Sequence, residues 1–310
     1  NEAFSPTLAR SVTLPHRTHT WYTPSTHRVQ SRADFGTPII TPRLIMVSPS
    51  TALKAQSALC MMFWMGMTAF PEALTSTYGL NFFDCPKASR GAAPCSVTNQ
   101  KVMLFQCFSL FGIQILFWGI SSAALARDAV SSKAQSVTCF SSLCIWLFFL
   151  ANDAINLFDP EWPEEMPKDA LYGNLVMWAG FAALMYSAWK ESGSAMPSTD
   201  LKTVLLPSGQ FGTAITVLIG INLMWGLPVC FLRQAFIDSF TQGFMDGFSP
   251  LIKKLVFAMM GQFGKMMLCN AFNLATIASV GDEDAQYRML RAISVAYMFY
   301  LGSFSKDVLV

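Results

Sequence analysis

The sequence contains few charged residues and almost no histidine. Charged residues make up 13% of its 310 residues and apolar residues 53%, with a mean hydropathy of +0.39. An average soluble domain has about 25% charged residues. The net charge of +2 provides no strong basic field, so nucleic acid is not an expected partner. All three histidines lie within residues 1–50, which excludes histidine-ligated haem or chlorophyll in the apolar segments.

Catalytic and metal-binding signatures are also missing from the sequence. It has no GxSxG, GxxxxGK[ST] or HExxH motif, which disfavours a serine hydrolase, a P-loop enzyme and a zinc protease. It has no CxxC or Cys/His spacing, which disfavours a zinc or iron–sulfur site. The apolar segments hold no paired carboxylates. We therefore predict that the protein is not an enzyme.

What the sequence does contain is long apolar segments. A helix that spans a bilayer needs about 20 mostly apolar residues. The sequence therefore predicts an all-α, polytopic membrane helical bundle with about seven spans. The predicted spans are residues 53–77, 101–126, 134–158, 171–189, 211–231, 253–280 and 285–301. Pro71 lies inside the first segment and is expected to kink or end that helix.

Two stretches of the chain resemble each other. Residues 101–126 align with 253–278 at an offset of 152, so that a Phe-Gly pair in the first run falls on a Phe-Gly pair in the second. Residues 134–150 align with 285–301 at an offset of 151, and both of these runs begin with Ala-Gln. A register held to one residue over about fifty positions indicates an internal repeat. The two helical hairpins are therefore expected to superpose.

This repeat divides the chain into three parts. Residues 1–50 form an extended basic N-terminal arm. Residues 51–192 form a four-span repeat unit and residues 193–310 a three-span unit, so the predicted architecture is a four-plus-three internal repeat. The fourth span of the first unit has no counterpart in the second.

The N-terminal arm differs in composition from the rest of the chain. Residues 1–50 are rich in Arg, Ser and Thr, poor in acids and without a hydrophobic period, which is typical of an organelle transit peptide. Because the chain begins with Asn1, we expect a processed start with this arm retained. Such a segment buries too little surface to order itself. We therefore expect the arm to lie along a partner protein.

The distribution of basic residues predicts the orientation of the bundle. With seven spans, twelve of the 21 Lys and Arg lie on the N-terminal side, eight on the opposite side and Lys265 within a span. The positive-inside rule then places the N-terminus in the stroma or matrix. Cys85 and Cys95 share a loop on the opposite side. An oxidising compartment there would allow a disulfide between them, which we predict.

Amides are the main polar groups within the predicted spans. Their oxygens suit the magnesium of chlorophyll, which prefers hard oxygen ligands. Their alternative role is interhelical hydrogen bonding, worth roughly 0.6 to 2 kcal/mol each. The candidate chlorophyll ligands are Gln106, Gln114, Asn152, Asn222, Gln262 and Asn270. None of the amides in spans two, three, six or seven among these candidates falls on an amide of the other repeat unit, which disfavours a symmetric transport site.

Lys265 is the one charge deep within a predicted span. An ionisable residue inside a membrane is a functional candidate. A retinal-binding lysine is expected in the last span, whereas Lys265 lies in the sixth. We instead expect Lys265 to face a partner subunit or to pair with an acid such as Glu72. The residue at the equivalent position of the first repeat unit is Ile113.

In general character the chain resembles the accessory membrane subunits of algal photosynthetic supercomplexes, including the dinoflagellate type. The resemblance lies in the basic arm, in the Met- and Phe-rich stretches 59–70 and 255–268, and in the lack of a catalytic signature. It implies a non-catalytic scaffold subunit of a thylakoid photosystem–antenna complex, with a stromal N-terminus. Such a subunit would bridge other membrane subunits and bind chlorophyll, carotenoid and lipids.

Two other functions agree with the same sequence features. An accessory subunit of a mitochondrial inner-membrane complex would have a similar arm and similar spans. A small-solute transporter or channel would also contain a repeated bundle. Chlorophyll absorption by the isolated protein would separate the photosynthetic hypothesis from both alternatives.

Overall fold

The computed structural model describes residues 47–77, 96–159, 168–205, 207, 209–241 and 243–308. All of these residues belong to the compact unit Arg43–Val310. Most of the predicted arm lies outside the described residues. So does the loop with Cys85 and Cys95, and their disulfide stays a prediction.

Within the described ranges the chain folds into ten helices without any strand, which confirms the all-α prediction. The helices are α1 (Pro49–Ala69), α2 (Pro71–Thr77), α3 (Val97–Leu125), α4 (Ser132–Leu157), α5 (Asp169–Glu191), α6 (Leu201–Leu205), α7 (Gly212–Phe231), α8 (Arg233–Thr241), α9 (Pro250–Ala278) and α10 (Glu283–Val308).

Four of these helices are long and apolar enough to span a membrane, namely α3, α4, α7 and α9. They coincide with four of the predicted spans, which supports a helical membrane bundle. The remaining three predicted spans correspond to α1 with α2, to α5 and to α10.

Serine and proline residues set several helix boundaries. Ser48, Ser96 and Ser249 precede α1, α3 and α9, and each side chain accepts a hydrogen bond from the backbone N–H three residues later. This is the usual way to satisfy a free N–H group at the start of a helix. The first predicted span is interrupted, because α1 ends at Ala69 and Pro71 begins α2. Proline suits the first position of a helix, where its missing N–H is not needed.

Glycines allow two pairs of helices to pack closely. A Cβ atom at Gly119 of α3 would lie 2.6 Å from the Cβ of Cys60 in α1, so α3 and α1 touch through this glycine. A Cβ at Gly264 of α9 would lie 2.9 Å from Cγ1 of Val229 in α7. Gly112, which the repeat pairs with Gly264, likewise faces Met67 of α1. Small residues at such crossings are typical of membrane helix pairs.

The long helices of residues 51–192, here called the first half, pack against those of residues 193–310, the second half. Helix α3 packs against α9. Helix α10 packs mainly on α3 rather than on its neighbour α9, and α4 packs more extensively on α9 than on its neighbour α3. Helix α5 lies against α4 and α1. Each half therefore contributes walls to the spaces between the helices of the other half.

Candidate functional site: two cavities between the helix pairs

The turns before α4 and α10 are joined by a hydrogen bond. Ser131 Oγ accepts from the Ala134 amide at 3.2 Å, and Asp282 Oδ1 accepts from the Ala285 amide at 3.0 Å. Ser131 Oγ donates to Asp282 Oδ2 at 2.5 Å. Ser131 and Asp282 are separated by the 151 residues of the predicted repeat. The two helix starts thus have equivalent caps that meet each other.

Two glutamines make equivalent hydrogen bonds next to these caps. Gln135 Nε2 donates to the Arg127 carbonyl at 2.9 Å, and Gln286 Nε2 donates to the Ala278 carbonyl at 3.4 Å. In both cases the acceptor lies eight residues earlier in the chain. These are the glutamines of the two Ala-Gln pairs. Sequence reasoning used them to align the runs but did not recognise that both amides tie a helix to the preceding turn.

One cavity, the charged cavity, has a volume of about 530 Å³ and is lined by residues of α1, α2, α3, α4, α5, α8 and α9. Five charged side chains line it: Asp153, Asp159, Arg233, Lys254 and Lys265. The rest of its wall is mainly aromatic and apolar. Its aromatic lining residues are Phe63, Phe108, Phe111, Trp118, Trp146, Phe149, Trp178 and Phe257.

Three tryptophans, here called the tryptophan stack, contact one another in the wall of the charged cavity: Trp146 and Trp178 are stacked, and the ring of Trp118 is tilted by 44° against that of Trp146. The ring centroids of Trp118 and Trp146 are 4.6 Å apart, and those of Trp146 and Trp178 are 5.2 Å apart. Trp146 Nε1 donates to Gln56 Oε1 at 2.9 Å, and Gln56 Nε2 donates to Ser122 Oγ at 2.6 Å. Gln56 is fully buried. It fixes the central ring of the stack, a role that a single amide in an apolar run did not reveal.

Lys265 belongs to a polar cluster in the charged cavity. Its ammonium donates to Asn152 Oδ1, and Asn152 Nδ2 donates to Asp153 Oδ1 at 3.0 Å. The expected pairing of Lys265 with Glu72 is wrong. Glu72 instead forms an exposed ion pair with Lys101 at 3.3 Å. The fold brings Lys265 and Asn152 together across 113 residues, which sequence spacing does not show.

Neutral donors hold the Asp153 carboxylate. Trp178 Nε1 donates to Oδ2 at 2.8 Å and Asn174 Nδ2 donates to the same oxygen at 3.3 Å. Both oxygens of Asp153 are therefore satisfied without direct contact with a basic side chain. Hydrogen bonds of this kind stabilise a buried charge that water would otherwise solvate.

Arg233 reaches the charged cavity over the surface of α9. A Cβ atom at Gly261 would lie 2.7 Å from Arg233 Cζ, so the guanidinium occupies the space that the missing side chain leaves. Arg233 Nε is buried, and so is Trp118 Nε1, and neither has a hydrogen-bond partner among the residues that the structure describes. The charged cavity thus holds donors that lack acceptors. Sequence reasoning did not select Arg233, because it lies outside the predicted spans.

The second cavity, the neutral cavity, has a volume of about 430 Å³ and lies between α3, α7, α8, α9 and α10. None of the described residues that line it is charged. Part of its wall corresponds to the wall of the charged cavity when the two are aligned at the offsets of the predicted repeat. At an offset of 152, Phe108, Phe111 and Ile115 correspond to Met260, Phe263 and Met267, and at 151, Trp146 and Phe149 correspond to Tyr297 and Tyr300. The position of Lys265 is taken by Ile113.

The six candidate amides have different surroundings. Asn270 Nδ2 donates to Gln114 Oε1 at 2.9 Å between α9 and α3, and Asn222 Nδ2 donates to the Leu218 carbonyl of its own helix at 2.8 Å. Asn152 belongs to the Lys265 cluster. The other two candidates line cavities and form no hydrogen bond within the described part of the chain: Gln106 in the neutral cavity and Gln262 in the charged one.

No group of three or more His, Cys, Asp or Glu side chains that could hold a metal ion occurs among the described residues. The six cysteines in these ranges are free and buried or half-buried. Comparisons with protein-family models, curated proteins and solved structures return no match for this chain.

Proposed function

We propose that the protein is a non-catalytic subunit of a thylakoid photosystem–antenna complex that binds chlorophyll, carotenoid and lipid and bridges neighbouring subunits. The observation that carries this proposal is the pair of matching, aromatic-walled cavities. Their volumes of about 530 and 430 Å³ fall in the usual range of ligand sites, about 300–1,000 Å³. Apolar walls with a few polar groups suit large ring-shaped or polyene ligands.

The proposal includes a bundle of seven spans in two repeat units. Helices α1, α5 and α10 have 21, 23 and 26 residues, each long enough to cross a bilayer, which takes about 20. The caps, the glutamines and the two cavities recur at the offsets of the sequence repeat. With seven spans, corresponding helices of the two units would cross the membrane in the same direction, so the proposed repeat would be of the parallel kind found in some membrane proteins.

Gln106 and Gln262 are the proposed chlorophyll ligands. Each lines a cavity, and the amide oxygen of each is free to approach magnesium, which prefers hard oxygen ligands. A residue equivalent to Gln106 would be Ala258, which lines the charged cavity one turn before Gln262. The two cavities would therefore present an amide from corresponding faces of α3 and α9. Gln114, Asn152, Asn222 and Asn270 have hydrogen-bonding roles within the chain.

Bridging is supported by large apolar side chains on the outside of the described bundle. Phe158, Val176 and Phe231 are 82%, 76% and 77% exposed. Side chains of this type suit contact with lipid or with the spans of neighbouring subunits. The N-terminal arm would add a stromal contact.

The test is pigment content. The full-length protein, isolated from its native membranes in mild detergent, should absorb at chlorophyll wavelengths. Gln106→Leu and Gln262→Leu should each lower the chlorophyll bound per protein, and Asn222→Leu should not, because Asn222 bonds its own helix. A pigment-free wild-type protein, or a double variant with undiminished chlorophyll, would contradict the proposal. Co-fractionation with mitochondrial membranes would favour the respiratory alternative.

Small-solute transport is favoured by one observation. The hydrogen-bonded chain from Lys265 through Asn152 to Asp153 joins helices of both repeat units inside a cavity. Ionisable groups at such an interface are typical of transport sites. Solute uptake into proteoliposomes that Lys265→Met abolishes would support this second function, and absence of flux for a broad solute panel would count against it.

A further inference from the structure

We propose, resting on the role as a membrane subunit but not on pigment binding, that the charged cavity binds an anionic amphiphile, which competes there with the chlorophyll proposed at Gln262 because both would occupy the same cavity. Its head group lies between Arg233 and Lys265, and its apolar part lies against the tryptophan stack. The ligand class is a lipid-like molecule with one negative charge.

The first reason is the balance of charge. Three basic and two acidic side chains line the cavity, which leaves one positive charge in excess. The Asp153 carboxylate already accepts three hydrogen bonds and lies next to Lys265 through Asn152. Arg233 forms no ion pair within the part of the chain that the structure describes. Burial of an arginine side chain away from water costs less free energy when an anion pairs with its guanidinium.

The second reason is the set of donors without acceptors. The buried Nε of Arg233 and the buried Nε1 of Trp118 both lack a partner among the described residues, and both residues line this cavity. Buried donors in folded proteins almost always find an acceptor. A head group with several oxygens would supply acceptors for Arg233, which favours planar, oxygen-rich anions.

The third reason is the position of the Arg233 guanidinium against Gly261 of α9. The Arg233 guanidinium fills the place of a side chain at Gly261, with Nη2 2.8 Å from where a Cβ would be. Any larger residue at position 261 would displace the guanidinium. The equivalent position in the first repeat unit is Ser109, so this arrangement belongs to the charged cavity alone.

The fourth reason is that the charged and the aromatic lining residues of α4 lie at different distances from the end of that helix. Asp153 lies about one turn from the C-terminal end of α4, and Trp146 lies about two turns further in. Along α4, the charged side chain therefore lies nearer the helix end and the central ring of the tryptophan stack lies deeper, while Trp178 joins the two regions through its hydrogen bond to Asp153. A small inorganic anion would leave the aromatic part unfilled, whereas an amphiphile satisfies both regions.

The neutral cavity provides an internal comparison. It shares part of its wall positions with the charged cavity but has Ile113 where the charged cavity has Lys265, and it contains no counterpart of Arg233 among its described lining residues. The charges are thus an addition to a shared apolar framework. An anionic head group should therefore select the charged cavity over the neutral one.

The experiment compares two lipids with the same acyl chains, one with an anionic and one with a zwitterionic head group. Full-length protein in detergent is titrated with phosphatidylglycerol or with phosphatidylcholine of the same chains, and bound lipid is measured by native mass spectrometry. Wild type should prefer phosphatidylglycerol. Arg233→Gln should weaken phosphatidylglycerol binding about tenfold to a hundredfold, the equivalent of losing a charge-assisted hydrogen bond. Arg233→Lys should retain part of the preference.

Two further variants separate the site from general charge effects. Gly261→Ala should weaken phosphatidylglycerol binding without changing any charge, because it displaces the guanidinium. Lys253→Gln is the matched control, since Lys253 is a basic residue of α9 that does not line the cavity and donates to the Asp246 carbonyl. The helical circular dichroism of each variant shows whether it is folded. If Lys253→Gln and Arg233→Gln have equal effects, binding is non-specific and the proposal fails.

Additional arms identify the anion. Oleate binding that also depends on Arg233 would indicate that any anionic head group suffices, which supports the proposal. If inorganic phosphate competes as strongly as phosphatidylglycerol, the apolar part contributes nothing and the amphiphile is wrong. A protein that retains pigment but shows no preference for phosphatidylglycerol refutes only this inference. A pigment-free protein with the preference refutes only the pigment-binding role.

Discussion

Replacement of Gln56 by leucine should destabilise the bundle strongly, although the change makes the core more apolar. Gln56 is fully buried and joins three helices through its bonds to Ser122, Ser142 and Trp146. Each interhelical hydrogen bond in a membrane contributes about 0.6 kcal/mol on average. Leucine would also leave the Trp146 indole N–H without its acceptor, at a cost of about 1–3 kcal/mol.

The expected loss for Gln56→Leu is therefore about 2–4 kcal/mol in the free energy of unfolding. It can be measured by denaturant unfolding of the full chain in mixed micelles, with tryptophan fluorescence as the signal, because Trp146 stacks between Trp118 and Trp178. Gln234→Leu is the control, since Gln234 is exposed and bonds Asp238 of the same helix. A loss for Gln56→Leu no larger than that of the control would refute the assigned role of the network.

Three other perturbations have defined outcomes. Gly119→Ala should lower the free energy of unfolding by about 1–3 kcal/mol through overpacking against Cys60, and Gly180→Ala, where the space is open, should not; unfolding in micelles measures both. Burial tends to raise the pKa of the Asp282 carboxyl, but hydrogen bonds hold this pKa below its ordinary value. The Asp282 carboxylate should then stabilise the fold above about pH 4, and this stabilisation should be lost as the pH falls through the lowered pKa. In melting curves, Asp282→Asn should lose less thermal stability on acidification than the wild type. Deletion of residues 1–46 should leave a membrane-inserted protein that no longer co-purifies with its complex, and unchanged co-purification would contradict the anchoring role.

The sequence was sufficient to predict the helices but not their neighbours. The length of the apolar run predicted a span at 134–158, close to α4 at Ser132–Leu157. Such a span can be read from the sequence because a helix satisfies its backbone hydrogen bonds within its own segment. The first span was predicted to run to residue 77 with a kink or an end at Pro71, and this interruption is confirmed, because α1 ends at Ala69 and Pro71 begins α2. For Lys265 the expected pairing with Glu72 was wrong, since its bond to Asn152 depends on how the whole bundle packs, while contact with a partner subunit stays a prediction.

Arg233 shows a different limit of sequence reasoning. In the sequence it is one basic residue between two apolar segments, a typical position at the end of a span. Only the turn after α7 brings its guanidinium onto Gly261, and only a glycine at that position leaves room for it. The relation between these two residues is tertiary, so neither residue alone indicates a binding site.

The interlocking of the halves has a consequence for biogenesis. Helix α10 packs on α3, and its Tyr297 lies in edge contact with Phe117 of that helix at 6.4 Å between ring centroids. During synthesis α3 is made long before α10. The surface of α3 that α10 covers therefore stays exposed until α10 has been inserted. Chains stalled after α9 would expose that surface to membrane proteases and insertion chaperones. Quality control of this protein should therefore discriminate between chains made before and after the synthesis of α10, the helix that covers this surface of α3.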